Sequence, residues 1–201
     1  MLKVLSEDDA AFVGVVAALE SRGDEDLGAV EAAVRAILDD VRVRGDAAVL
    51  DACERFERRR PSPLVRTIDG EAALGRLSPA ARQALTFAAE RIRGFHERQR
   101  THEGMTFVDE RNGTRLGTRV QPLRRAGIYA PGGKARYPSS VLMAAIPARV
   151  AGVPDVIVAT PLSGDSGDDA LLAAAHLAGV DRILDAEIGR ASCRERVCQY
   201  V

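Results

Sequence analysis

The chemistry on offer is concentrated where Gly127-Ile128-Tyr129-Ala130-Pro131-Gly132-Gly133 runs into Tyr137-Pro138-Ser139-Ser140. A short apolar run meets Pro-Gly, whose fixed and permissive backbones favour a tight turn. A helix then opens near Pro138, and the free N–H groups of a helix start attract anions. Ligands of open α/β sheets bind beyond the carboxyl ends of strands, which is where such a turn falls. On physics alone this is a nucleotide or phosphate site, or else a structural connection. It lacks the Gly-x-Gly-x-x-Gly spacing of a conventional dinucleotide loop. Tyr129 reads either as a ligand contact or as a half-buried aromatic with a bonded hydroxyl. One of Ser139 and Ser140 is explained by helix N-capping without any ligand, and Lys134 by a solvated turn.

The other reactive side chains do not converge. His96 and His102 are six apart near the end of one helix, and His176 has no second ligand near it in sequence. Zinc needs three or four converging N, O or S donors, so no metal site and no catalytic set is assigned. Cys53 stands alone, and Cys193 and Cys198 crowd the last residues, so neither a disulfide framework nor a paired Cys-x-x-Cys site can be built. Arg58-Arg59-Arg60 beside Pro61 reads as a solvated linker.

These residues must be carried by a chain of 201 residues, 46% hydrophobic and 28% charged, with a net charge of −1. That balance argues against an extended nucleic-acid surface or an anionic membrane as the main partner. No apolar run is long enough for a transmembrane helix. The N-terminus turns acidic too early for a signal peptide, so a cytoplasmic location is the default expectation. The first hundred residues have helical periodicity. Leu27, Val30, Val34, Ile37, Leu38 and Val41 form one stripe; Val49, Leu50, Cys53 and Phe56 form a second, over about 47–58. Ser78-Pro79 opens a long helix to about Arg100, with Leu85, Ala88, Ala89, Ile92 and Phe95 inward. Residues 66–77 read only as a link. Met105–Val108 and Thr114–Val120 read as short strands around Asn112-Gly113. Strands Ala126–Ala130, Val156–Thr160 and Arg182–Asp185 then alternate with helices Pro138–Val150 and Asp168–Ala178. The pattern is that of a parallel, doubly wound α/β sheet. Pro147 inside the first of these helices predicts a kink or two abutting helices.

GIYAPGGKARYPSSVLMAAIPARVAGVPDVIVATP closely resembles histidinol dehydrogenase, as do AVRAILDDVRVRGDAAVLDACERF and ARQALTFAAERIRGFHERQR upstream. The likeness runs from about residue 25 to Ala186, with Arg58–Pro63 departing from the family's usual acidic turn. It implies a zinc-dependent enzyme that oxidises L-histidinol to L-histidine through the aldehyde with two NAD, and a homodimer. It implies that Tyr129 lines the NAD site, with the Pro131 and Gly132 backbone against the cofactor. It implies an α/β fold: a helical N-terminal segment, 1–104, and an incomplete Rossmann-like parallel sheet of the aldehyde-dehydrogenase-like type within a partial NAD-binding domain, 105–186.

The family's zinc ligands and Glu-His base pair have no matching position here, so the isolated chain is expected to be inactive and to hold no zinc. Residues 187–201, EIGRASCRERVCQYV, lack the expected apolar pattern and read as a foreign tail. Two other readings stay open: an aldehyde-dehydrogenase-like oxidoreductase fragment, and a non-enzymatic nucleotide-binding module.

Overall fold

The computed structural model describes residues 5–20, 27–100, 107–111, 113–132 and 136–187. The chain divides between Gly45 and Asp46 into two units. The first holds helices α1 (Phe12–Glu20) and α2 (Leu27–Arg44). Leu38, expected on an inward stripe of α2, is half exposed. On the exposed side of α2, Arg35–Glu31 and Arg44–Asp40 pair one turn apart.

In the second unit, α3 (Asp46–Glu57) leads to strand β1 (Val65–Thr67), α4 (Gly70–Arg76) and α5 (Pro79–Arg100). The hairpin β2 (Phe107–Arg111) and β3 (Thr114–Thr118) follows, with Gly113 at φ +75° in its turn. Then come β4 (Arg125–Tyr129), α6 (Pro138–Val150), β5 (Asp155–Ala159), a 3-10 turn (Ser166–Asp168), α7 (Asp169–Leu177) and β6 (Arg182–Leu184). Met105, Thr106, His102, Asn112, Lys134 and residues 188–201 lie outside the described residues, and with them the expectations placed there.

The sheet is mixed rather than all parallel. Its order is β1-β6-β5-β4, with β4, β5 and β6 parallel and β1 antiparallel to β6. Part of the segment expected only to link two helices is therefore an edge strand. Val65↔Leu184 and Thr67↔Arg182 set its register.

Side chains alternate across the strands. Ala126, Ile128, Val156, Val158 and Ile183 join the main core with Val141, Leu142, Ile146, Leu171 and Ala89 from the helices. Each fully buried Leu or Ile there contributes about 1.5–3 kcal/mol relative to exposure. The opposite face is covered at β6 by a second cluster, in which Cys53, Leu64, Ala186 and Leu184 meet Val49 and Leu50 of α3. Two ring positions differ from expectation. Phe56 is 52% and Phe95 61% exposed, so each helix turns its stripe to the core without these rings.

The helix ends follow their sequences. Ser78 Oγ accepts from Ala81 N–H at 3.2 Å above Pro79, and Asp69 caps α4 through Ala72 N–H at 2.9 Å. Gly179, at φ +78°, ends α7 with its N–H on His176 O. A Cβ on Gly70 would stand 2.3 Å from His176 Cβ, so α4 and α7 cross on a glycine, with the His176 side chain exposed beside it. α6 is one continuous helix through Pro147, not two abutting ones. The N–H that proline lacks would have met Met143 O, one turn back, where the Met143 side chain is 64% exposed.

Candidate functional site

The three parallel strands end together. Ala130 N–H donates to Ala159 O and Thr160 N–H to Leu184 O, each at 3.0 Å, which carries the ladder one residue past the strands. The chain segments leaving them, Ala130-Pro131-Gly132, Thr160-Pro161-Leu162 and Asp185-Ala186, form one edge. Pro131 and Gly132 are half-buried there. A Cβ on Gly132 would lie 2.0 Å from Pro161 Cγ and 2.5 Å from its Cδ. Only glycine lets the two turns press together at this point.

Tyr129 is half-buried and, by alternation with Ile128, faces away from α6 and α7. Gly127 shares that face, and a Cβ there would meet open space. At the next strand end, Thr160 Oγ1 is wholly buried without a hydrogen-bond partner among the described residues.

α6 begins as expected at Pro138, but its N-cap is Tyr137, with no side-chain cap bond. Ser139 and Ser140 therefore lie in the first turn and cap nothing. Tyr137 is 44% exposed.

Charged groups brace the edge. Arg136 pairs with the buried Asp168, Nη2 to Oδ1 at 2.9 Å, and bonds Ser163 Oγ. Asp185, 1% exposed, takes Arg59 Nη1 on Oδ1 at 2.5 Å, Arg66 Nε near Oδ2 at 3.1 Å and Leu162 N–H on Oδ1 at 2.9 Å. Arg59 also meets Glu57 at 2.7 Å, and Arg60 meets Asp51 and Glu54. Within the arginine run Arg59 departs from the solvated reading, since its ion pair reaches the carboxyl end of β6, whereas Arg58 and Arg60 are exposed. Sequence reasoning passed over Arg59, Arg136 and Asp168; the signal it had was basic residues flanking two turns, with no clue to their distant partners.

Cys53 is buried under β6, and burial with Glu57 nearby pushes its thiol up to about 12. It is protonated at neutral pH and is not a nucleophile. Among the described residues no three His, Cys, Asp or Glu side chains converge as a metal site. A hollow lies away from this edge, against the far end of α6, lined by His96, Arg100, Val120, Pro122, Pro147 and Val150. It brings no convergent titratable set.

The histidinol dehydrogenase family model matches residues 20–192. A histidinol dehydrogenase of Burkholderia pseudomallei (strain 1710b) is 48% identical over 184 residues, covering 89% of this chain and 41% of that protein. One of Syntrophotalea carbinolica is 46% identical over 186 residues, covering 91% and 43%. The crystal structure of histidinol dehydrogenase from Elizabethkingia anophelis superimposes with a TM-score of 0.67 at 29% identity, over 81% of this chain and 37% of that one. The chain spans about two fifths of the length of the curated relatives, 41% and 43% of these two.

Proposed function

Because the chain belongs to the histidinol dehydrogenase family, we propose that it is the N-terminal portion of an enzyme that oxidises L-histidinol to L-histidine through the aldehyde with two NAD. The observation that carries this reading is the family match over residues 20–192, which includes the turn at the carboxyl edge of the parallel strands. Tyr129, Pro131 and Gly132 would hold NAD. One feature suits a nucleotide there: the half-buried Pro131-Gly132 backbone lies at the carboxyl edge of the parallel strands, next to Tyr129.

NAD, when bound, supplies the hydride acceptor. The part taken by these residues is to bind and orient. The Tyr129 ring offers a flat apolar face on the open side of the sheet. Pro131 fixes one backbone angle of the turn, and Gly132 lets it seat on Pro161, so the site is formed before a ligand arrives.

The described residues do not fit zinc, since no three ligands converge, and no zinc-dependent step is assigned to them. In this reading zinc, the catalytic base and the L-histidinol pocket belong to the remaining three fifths of the family's length. The same reading takes β4–β6 as an incomplete Rossmann-like sheet of the aldehyde-dehydrogenase-like type. It divides the chain into a helical segment, 1–104, a partial NAD-binding domain, 105–186, and a foreign tail. It takes the intact enzyme to be a cytoplasmic homodimer.

The test joins residues 1–187 to the C-terminal part of a 48%-identical relative. That full-length protein should form NADH in the presence of L-histidinol. A folded, zinc-loaded product with no histidinol-dependent NADH would overturn the reading. In it, Tyr129→Ala should weaken NAD binding by about fivefold to a hundredfold, the range for losing an aromatic platform under a base. Zinc content should stay intact, and Tyr129→Phe should cost less. Unchanged NAD affinity by calorimetry would remove Tyr129 from the site.

A further inference from the structure

Resting on that cofactor reading, we propose that Arg136 and Asp168 are a positioning pair that holds the entry of α6 against the loop after β5, beside the Pro131-Gly132 backbone that would receive NAD. Arg136 directly precedes Tyr137, the N-cap of α6, and its side chain is only 16% exposed. Asp168 is 4% exposed at its side chain and takes Arg136 Nη2 at 2.9 Å on one oxygen. Its other oxygen accepts from Gly164 N–H at 2.8 Å, and Arg136 also donates to Ser163 Oγ. One buried carboxylate thus joins the entry of α6, the loop after β5 and the 3-10 turn before α7.

At the other flank of the same turn, Gly132 is seated against Pro161. Gly132 and Arg136 each therefore meet the loop after β5, at Pro161 and at Ser163. The pair is neutral as a unit, so it contributes direction and not net charge toward a phosphate. A carboxylate buried to this degree is costly without its partner, which makes Asp168 intolerant of losing Arg136. The guanidinium is needed for its geometry as well, because it reaches Asp168 and Ser163 at once and a lysine ammonium on a flexible stem does not hold both in one plane.

NAD is titrated into the full-length protein joined as above, by calorimetry and by ligand-observed NMR, with the thermal midpoint recorded for every variant. Arg136→Ala and Asp168→Asn should each weaken NAD binding by about tenfold. Arg136→Lys should recover part of it, and the reversed pair Arg136→Asp with Asp168→Arg should bind better than either reversal alone. Because the pair is neutral, the salt dependence of NAD affinity should not change when both charges are removed together, in Arg136→Ala with Asp168→Asn. A purely structural role gives a different pattern: a lower midpoint with unaltered NAD affinity in the molecules still folded, which would overturn the proposal. Binding by the parent protein with full affinity in Arg136→Ala overturns the positioning pair alone. A folded parent protein that binds no NAD overturns the cofactor reading, and this proposal with it.

Discussion

Asp185 and Asp155 each meet two arginines at opposite ends of one sheet, yet the two clusters have different consequences. At the amino end, Asp155 opens β5 and lies in register with Arg125, which opens β4; Arg182, which opens β6, pairs with its other oxygen. These are cross-strand neighbours on a wet edge, with Arg125 73% exposed. At the carboxyl end, Asp185 is 1% exposed, and its arginines come from outside the parallel strands, Arg59 from the loop after α3 and Arg66 from β1. Water and salt can replace the partners of Asp155, but nothing in a dry strand end can replace those of Asp185. The carboxyl end is also where the candidate cofactor turn lies.

Removing the buried carboxylate is the severest way to break the comparison. Asp185→Ala strips the partner from two arginines and from Leu162 N–H, and should cost about 3–5 kcal/mol, the range for breaking a buried pair. Denaturant titration of the second unit measures it, and a loss below about 1 kcal/mol would mean the two ends are equivalent after all.

Acid sharpens the contrast next. Hydrogen bonding from Arg125 holds the Asp155 carboxyl below its ordinary value near 3.8, and Arg76 does the same for Asp169. A carboxylate whose folded value is depressed contributes stability above the unfolded value and loses it as pH falls through the folded one. The unfolding midpoint should therefore be flat above about pH 5 and fall below about pH 4, where unfolded aspartates take up protons. Asp169→Asn should flatten that limb. A midpoint that rises on acidification would contradict the assignment.

The smallest effect is expected at Asp155→Asn in neutral solution. Pairs made by exposed arginines are weak and screened, so the loss should stay below about 1 kcal/mol, matching what Asp155 contributes to the acid limb, and added salt should shrink it. A shift rivalling that of Asp185→Ala would show the amino edge to be shielded.

What the sequence made legible follows from how local each signal is. Pro138 at a helix start fixed the first turn of α6, and the β4, β5 and β6 boundaries fell within a residue or two because short apolar runs sit between turn residues. β1 escaped because three residues, Val-Arg-Thr, carry no periodicity; only their pairing with Leu184 and Arg182 makes them a strand. Phe56 and Phe95 lay on apolar stripes, but periodicity names a face without saying how wide its cover is. The arginine run was read as solvated because its partner Asp185 is 126 residues from Arg59 in sequence. At the site, the turn from Tyr129 to Gly132 was visible through its Pro-Gly chemistry, whereas the seating of Gly132 on Pro161 depends on two loops meeting.

The pairing of β1 with β6 sets a timetable for synthesis. Val65 leaves the ribosome long before Leu184, its partner, is made. With roughly 120 residues between them and translation at about 5–20 residues per second, β1 waits on the order of 6–24 seconds. Over that interval α4 through α7 emerge in turn, before the sheet edge that β1 will cover exists. The helices must therefore persist as a partly assembled layer, shielding Leu142 and Ile146 among themselves, until the last parallel strand emerges and draws β1 in beside it.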